Sequence, residues 1–226
     1  MQLSDRVAYV GAPLSKVPEG VTTVPVLKIV YRDVSSVKSI ETSLALTSKR
    51  AVISLKMSGV KISGARIYCI GEETSKYLKN LYSLECIVPD TQDSQGLARI
   101  IAGNEKEITV VGSNMISDNL LSTLRDNGIR VNVVAAYEIV ENPDARYEDL
   151  GSVTKILVGS SHSFEILYRR AAKYIEGKRI YAIGRPTFNT ISKSGLVPAG
   201  FFERPSIWEI LVAMVNNSEK GLLATP

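Results

Sequence analysis

The sequence predicts an α/β protein made of two similar domains, each built around a parallel β-sheet. Three observations predict this. Short apolar segments rich in β-branched residues alternate with segments of helical periodicity. The segments that follow residue 150 repeat an earlier set in the same order. Two long extended segments, at 21–33 and 130–142, lie on either side of the segments that are repeated. Alternating strands and helices are typical of parallel sheets.

The first set of elements extends from the N-terminus to residue 142. It opens with a strand at 6–12 and an extended segment at 21–33, where Pro25 indicates an edge strand. The elements that follow are a strand at 43–47, a helix from Ser48 to about Met57, a strand at 66–71, a helix from Glu72 to Tyr82, a short strand at 86–90, a helix from Ser94 to Ala102, a strand at 107–112, a helix from Ser117 to Asn127 and an extended strand at 130–142. Gly103 and Gly128 follow two of these helices, as C-terminal caps commonly do.

After Pro143 the alternation starts again. The predicted elements are a strand at 155–159, a helix at 161–176, a strand at 179–184, a helix at 186–194, a short extended segment at 197–202 and a helix at 206–216. Trp208 lies in the last helix among apolar residues, and we expect it in the core.

This second set repeats part of the first, a βαβαβα unit that begins with the strand at 43–47. The segment at residue 67 reads IYCIGEETSKYL, and the segment 113 residues later, at 180, reads IYAIGRPTFNTI. The turn at Thr47 corresponds to the turn at Gly159, and Ser94 corresponds to Ser206, each pair 112 residues apart. Three segments in one order at spacings of 112 or 113 residues indicate an internal duplication, with a period too long for a solenoid repeat.

The duplication suggests where the domains begin and end. The second copy has only three strands, and the N-terminal strands have no other sheet to join. We therefore predict a discontinuous domain, residues 1–32 with 142–226, and an inserted domain, residues 34–136. The extended segments at about 22–33 and 131–141 are predicted to pair as a two-stranded β hinge beside a cleft. We expect the domains to move about 31–34 and 137–142.

Composition excludes several classes of protein. The chain has 45% hydrophobic and 22% charged residues, as globular proteins do, and no apolar segment long enough to span a membrane. The N-terminus lacks the basic and apolar regions of a secretory signal, so we expect a cytoplasmic protein. The net charge of +4 comes from scattered residues, which suits an acidic small molecule better than nucleic acid. Cys69 and Cys86 are predicted to be reduced thiols, not a disulfide.

Hydroxyl-rich turns follow the strands and begin the helices. The turns read TSKRA, GEETS, GSNMIS, GSSHS and GRPT. In parallel sheets these turns meet at the carboxyl edge, where helix N-termini favour carboxylates or phosphates. The residues alone also allow the Ser and Thr side chains to be helix caps and no more. No phosphate-loop or dinucleotide glycine motif is present, which disfavours a nucleotide-dependent enzyme.

Few side chains suggest catalysis. The single histidine, His162, lies in a predicted turn, and no spacing of metal ligands surrounds it. Tyr137 interrupts the apolar strand at the predicted hinge. Its phenol is either directed into the cleft or half-buried at an interface.

Taken together and in order, the segments ALTSKRAV, IYCIGEETSKYL, DSQGLARII, GIRVNVVAAYEIV and IYAIGRPTFNTISKSGLVP resemble the uroporphyrinogen-III synthase family from about residue 44 to 214. The resemblance implies two flavodoxin-like domains joined by a two-stranded β-ladder. It also implies a lyase of porphyrin and haem biosynthesis that cyclises hydroxymethylbilane, inverts the last pyrrole ring and releases water. No metal or organic cofactor and no nucleic-acid or membrane partner is implied, and we expect a monomer. One departure from the family is the segment GAPLSKVPEG, which is too short for the helix that usually follows the first strand.

The resemblance also implies a set of site residues. Tyr137 corresponds to the family's hinge-strand tyrosine and is the predicted proton donor for loss of the hydroxyl. The predicted substrate-binding residues are Ser48, Lys49, Gly71, Thr74, Ser113, Asn114, Ser160, Ser161 and Thr187. The substrate carries eight carboxylates, which suits helix N-termini. A non-catalytic two-domain binding protein for an acidic small molecule is the alternative, since it would share the cleft and the turns.

Overall fold

The structure is a computed structural model that describes residues 6–64, 66–203 and 206–224. The chain divides into two compact units. The discontinuous unit contains the residues up to Lys28 and those from Val140 onward, and the continuous unit is Ile29–Ile139. No helix among the described residues is long and apolar enough to cross a lipid bilayer.

Strands and helices alternate along most of the chain. The strands of the described residues are β1 (Val7–Gly11), β2 (Val21–Pro25), β3 (Leu27–Tyr31), β4 (Ser39–Ile40), β5 (Ser43–Leu46), β6 (Lys61–Ile62), β7 (Ile67–Cys69), β8 (Glu107–Ser113), β9 (Arg130–Glu141), β10 (Lys155–Val158), β11 (Arg179–Ala182) and β12 (Gly200–Phe201). The α-helices are α1 (Lys49–Met57), α2 (Glu72–Tyr82), α3 (Ser94–Ala102), α4 (Asp118–Asp126), α5 (Ser161–Ala171), α6 (Arg185–Lys193) and α7 (Ile207–Val215). Short 3-10 helices lie at Tyr147–Ser152, Ala172–Tyr174 and Glu219–Leu222.

The discontinuous unit contains a five-stranded sheet in the order β2-β1-β10-β11-β12, and each neighbouring pair is parallel. Strands β1 and β10 are buried along their whole length, as expected for a sheet covered on both faces. Pro25 lies at the end of the edge strand β2, where the absence of an N–H group costs the sheet no hydrogen bond.

The continuous unit has a sheet in the order β3-β9-β8-β5-β7, in which β5 is parallel to β7 and β8, and β8 to β9. One face packs against α1 and α2, with Leu46, Val52 and Leu78 in its core. The other packs against α3 and α4, with Leu97 and Leu124 in its core. On the outer side of β7, Ile87 forms a single parallel bridge with Tyr68.

Apart from β3, the two sheets correspond place by place. The order β12-β11-β10-β1-β2 matches Ile87-β7-β5-β8-β9. The duplicated segments therefore hold the same places in both units, and β1 and β2 fill the places of β8 and β9 although they come first in the chain. Helix α4, between β8 and β9, has no counterpart between β1 and β2, where residues 12–20 form neither helix nor strand. The expectation of no helix in this short segment is confirmed.

Most predicted elements are present within a few residues of their predicted bounds. The extended segment at 21–33 is interrupted at Val26 and contributes β2 and β3 to different sheets. The helix predicted at 161–176 ends at Ala171, and the strand predicted at 86–90 is reduced to the bridge at Ile87. The small sheet of β4 and β6 was not predicted, because two-residue strands have no detectable periodicity.

The prediction of two reduced thiols was wrong. Cys69 and Cys86 form a disulfide, with their Cα atoms 5.9 Å apart. The N–H of Cys69 donates to the carbonyl of Ile87 at 2.9 Å, and the N–H of Ile87 donates to the carbonyl of Ile67 at 2.8 Å. These bonds return the chain alongside β7 and bring the two cysteines within bonding distance. Cysteine count and spacing alone could not reveal this pairing.

The prediction that Trp208 lies in the core was also wrong, since 46% of its surface is exposed. Helix α7 buries Ile210, Leu211 and Met214, and Trp208 lies on another side. Trp208 is the second residue of α7, and Gln95, the second residue of its counterpart α3, is exposed as well. This position therefore faces solvent in both units.

Candidate functional site

The hydroxyl-rich turns lie at the carboxyl edges of the two sheets. In the continuous unit, Ser48 follows β5, Gly71 follows β7 and Ser113 ends β8. In the discontinuous unit, Ser160 follows β10 and Gly184 follows β11. Because neighbouring strands are parallel, the turns of each unit meet at one edge of its sheet, as predicted.

Tyr137 lies in β9 with its side chain against the α1 and α2 face of the sheet. It is 4% exposed and packs in that core. Its hydroxyl lies 2.8 Å from the Oγ of Ser48, and either group can donate. Ser48 is the N-cap of α1, and its Oγ also accepts from the N–H of Ala51 at 3.3 Å. The structure therefore brings two predicted site residues together at a helix N-terminus.

The first turn of α1 carries positive charge. It contains no acidic residue, and its first two residues are Lys49 and Arg50. The Nζ of Lys49 pairs with Glu73 at 2.7 Å and lies 5.5 Å from the centre of the Tyr77 ring. Arg50 is half-buried and makes no ion pair with a described residue. Sequence reasoning missed Arg50, although its place in the TSKRA turn, beside Lys49, was a usable signal.

Thr74 and Thr187 occupy equivalent places in the duplication. Each is the third residue of its helix, α2 or α6, and each is 3% exposed. Within the described part of the chain, neither hydroxyl is hydrogen-bonded. The N-caps of these helices, Gly71 and Gly184, have no side chain to cap the N–H groups. Both threonine hydroxyls are thus available to a ligand.

Charge distinguishes these two helix N-termini. Glu72 and Glu73 lie in the first turn of α2, and the N–H of Glu72 is already capped by the Oε1 of Gln92 at 3.0 Å. Gln92 was not predicted, because it comes from a distant loop. The first turn of α6 has no acidic residue. The N-terminus of α6 therefore has fewer negative charges in its first turn than that of α2.

The side chains of Ser113 and Asn114 accept hydrogen bonds from nearby backbone N–H groups. The Oγ of Ser113 accepts from the N–H of Met115 at 3.0 Å. Asn114 donates its N–H to the Tyr137 carbonyl at 2.9 Å, and its Oδ1 accepts from the N–H of Ile139 at 3.0 Å. Asn114 therefore secures β9 on both sides of Glu138.

A cluster of hydroxyl groups surrounds the N-terminus of α5. The Oγ of Ser160 caps the helix, accepting from the N–H of Ser163 at 3.0 Å, and lies 2.7 Å from the Ser163 hydroxyl. The hydroxyl of Thr190, on α6, donates to the Oγ of Ser161 at 2.9 Å. His162 is 43% exposed, and its Nδ1 lies 3.7 Å from Glu165. The histidine therefore lies at the solvent side of this turn.

No metal centre accompanies these turns. Among the residues that the structure describes, no group of three or more His, Cys, Asp or Glu side chains is arranged to hold a metal ion. The described residues of these turns offer hydroxyl and N–H groups for hydrogen bonding, and α1 adds the charges of Lys49 and Arg50.

Comparison with known proteins identified one family. A family model described as uroporphyrinogen-III synthase HemD matches residues 14–211. The solved structure of uroporphyrinogen-III synthetase from Helicobacter pylori matches with a TM-score of 0.68 at 14% identity, over 94% of this chain and 99% of that one. A mutant uroporphyrinogen III synthase from Thermus thermophilus matches with a TM-score of 0.61 at 19% identity, over 96% and 98% of the two chains. These structures share the α/β fold. A comparison with curated proteins found no significant match.

Proposed function

The chain belongs to the uroporphyrinogen-III synthase family, and we propose that the Tyr137–Ser48 pair is the centre of its chemistry. The reaction converts hydroxymethylbilane to uroporphyrinogen III, with inversion of the last pyrrole ring and loss of water. The observation that supports this centre is the 2.8 Å contact between the two hydroxyls at the N-terminus of α1. No observation favours a non-catalytic binding protein.

We assign Tyr137 the role of proton donor to the departing hydroxyl. The pyrrole nitrogen lone pair expels that hydroxyl, which leaves as water once it takes the phenol proton. Ser48 can donate to the phenol oxygen as negative charge develops there. A proton is released when the attacking pyrrole regains aromaticity, and it restores the phenol. Ring closure then depends mainly on holding the two chain ends in the reacting geometry.

We propose that turns in both units bind the substrate carboxylates. Lys49 and Arg50 supply charge at α1, and the free hydroxyls of Thr74 and Thr187 supply hydrogen bonds. The remaining proposed contacts are Gly71, Ser113, Asn114, Ser160 and Ser161. The lack of acidic residues in the first turns of α1, α5 and α6 supports anion binding there, whereas Glu72 and Glu73 disfavour it at α2.

We also propose that the units are flavodoxin-like domains and that β3 and β9 form the hinge between them. The strand order β2-β1-β10-β11-β12 is the flavodoxin order, which supports the first part. The boundaries between the units fall within β3 and β9, which supports the second. Hinge motion stays a prediction, which small-angle scattering with and without product can test. The monomeric state and cytoplasmic location also stay predictions, and size-exclusion chromatography can test the first.

The decisive experiment measures which isomer forms. Hydroxymethylbilane made enzymatically in the same vessel is given to the purified chain, and the uroporphyrin isomers are separated after oxidation. Without a synthase, this substrate closes to the type I isomer, so we expect the chain to change the product to type III. An unchanged type I product would refute the assigned activity.

A further inference from the structure

Strand β9 has a β-bulge immediately before Tyr137. The register of β8 and β9 pairs Gly112 with Ala135 and then Ser113 with Tyr137. Ala136 is therefore an extra residue with no partner in β8. Bulges are rare between parallel strands, and they redirect the side chains that follow them.

The bulge changes the face of the sheet on which Tyr137 lies. Before it, Val131 packs against the α3 and α4 core, while Val134 packs against the α1 and α2 core, as does the bulged Ala136. Side chains of a regular strand alternate between faces, so an uninterrupted β9 would direct residue 137 toward α3 and α4. Beyond the bulge, Tyr137 and Ile139 instead pack on the α1 and α2 face. Only on this face can the phenol reach Ser48.

Ser54 of α1 holds the bulged residue. Its side chain is fully buried, and its one hydroxyl proton is shared between the carbonyl of Ala136 and, at 3.1 Å, the carbonyl of Arg32. The N–H of Arg32 also donates to the Ala136 carbonyl, at 3.0 Å. A serine within a helix usually bonds to a carbonyl of its own preceding turn. The Ser54 hydroxyl instead joins α1 to the backbone at the bulge.

We propose that Ser54 is a positioning residue for the reaction, which fixes the bulge at Ala136 and so directs the Tyr137 phenol to Ser48. This inference rests on the proposed role of Tyr137. Ser54 lies on the same helix as the Ser48 cap, more than one turn further along. Helix α1 therefore supplies both the serine that contacts the phenol and the serine that holds β9. Asn114 secures the strand on the other side of Tyr137.

A double-mutant cycle tests the coupling. We expect Tyr137→Phe to lower kcat about 10²-fold in the wild-type background, as loss of a general acid does. Ser54→Ala should lower kcat with little change in KM. In the Ser54→Ala background, Tyr137→Phe should then cost only a few-fold, because the phenol is already misplaced. If Tyr137→Phe lowers kcat by the same factor in both backgrounds, the positioning role of Ser54 is overturned while Tyr137 remains the proton donor.

A spectroscopic measurement tests the positioning without the reaction. Tyrosines are labelled with 13C at the hydroxyl-bearing carbon, and the Tyr137 resonance is assigned by its absence in Tyr137→Phe. Ser48→Ala and Ser54→Ala should both shift this resonance. Ser43→Ala is the matched control, because it removes another nearly buried serine hydroxyl of the same unit, bonded to Glu105 at 2.8 Å, and it should leave the resonance and kcat unchanged.

The outcomes separate the two proposals. A Tyr137 resonance that does not move in Ser54→Ala overturns the positioning role. A resonance that moves, in an enzyme whose kcat is insensitive to Tyr137→Phe, supports the positioning of the side chain and refutes its role as proton donor.

Discussion

Tyr137 is the residue on which the proposed chemistry depends, and its hydroxyl is the group to remove. Tyr137→Phe keeps the ring that packs against α1 and deletes only the contact with Ser48. We expect stability to change little and turnover to fall about 10²-fold. Steady-state formation of the type III isomer provides the measurement. A variant as active as the wild type would place the proton donor elsewhere.

The two equivalent threonines allow a graded test of substrate binding. Thr187→Val and Thr74→Val keep the side-chain volume and remove hydroxyls that have no described protein partner. We expect KM to rise several-fold, about 1 kcal/mol of binding, with the melting temperature nearly unchanged. Thr187→Val should have the larger effect, because α6 lacks the acidic residues of α2.

His162→Ala is the control for these variants. It changes an exposed side chain at the N-terminus of α5, and we expect both kcat and KM to stay near wild-type values. An inactive His162→Ala variant beside an active Tyr137→Phe would contradict the assignment of the proton donor.

A buried ion pair makes stability depend on pH. Lys155 and Glu219 pair while 1% and 3% exposed, and Lys155 also donates to the Oδ1 of Asn217 at 2.6 Å. Burial by itself raises the pKa of Glu219, but hydrogen bonding and charge from Lys155 and a bond from Tyr181 leave that pKa below its ordinary value of 4.5. The stabilising contribution of Glu219 is therefore fully present above about pH 4.5 and is lost as the pH falls through the folded-state pKa.

Glu219→Gln tests this dependence. At pH 7 it removes the negative charge that Glu219 contributes to this buried pair, and we expect a loss of about 3–5 kcal/mol in the free energy of unfolding. The difference between wild type and variant should shrink as the pH falls below 4.5, because the wild type loses the same charge. Urea unfolding from pH 7 to pH 3.5 measures both curves. A difference in unfolding free energy that does not change with pH would show that the charge of Glu219 is not the source of the pH dependence.

Among the elements, the segment from β7 to Ile87 depends on a covalent link. The Cys69–Cys86 disulfide spans 17 residues, and closing a loop of about 15 residues stabilises a fold by about 3 kcal/mol. We expect a reducing agent to lower the unfolding free energy of the wild type by about this amount. A variant with both cysteines changed to Ala should unfold identically with and without reductant. Equal sensitivity in the two proteins would show that the reductant lowers stability by some route other than this disulfide, since the chain has no other cysteine.

At the scale of the whole molecule, the continuous unit has both of its hydrophobic cores within one uninterrupted segment. The two cores, one on each face of its sheet, draw all their residues from positions 29–139. We therefore expect a fragment of residues 29–139 to fold alone, with amide chemical shifts close to those of the same residues in the full chain. A fragment without a cooperative unfolding transition would show that the unit needs the rest of the chain.

Local pattern was enough to predict most elements, the duplication and several caps. Ser48 was expected to begin a helix because hydroxyls cap N-termini, and Thr74 and Thr187 were matched because the duplication repeats their turns. These features depend on neighbours in sequence, so the sequence by itself determined them. Tyr137 was noticed because it interrupts an apolar strand, and the family resemblance then supplied the reaction and the role of this tyrosine.

Tertiary structure decided the features that join distant segments. The pairing of Cys69 with Cys86 follows from hydrogen bonds that return the chain beside β7, and the exposure of Trp208 follows from which side of α7 packs on its sheet. The face on which Tyr137 lies follows from one unpaired residue in β9 that Ser54 holds. A bulge is a mismatch between two strands, so neither strand's sequence shows it. The sequence was enough to predict Tyr137 as a site residue, but the packing of α1 against β9 decided where its hydroxyl lies.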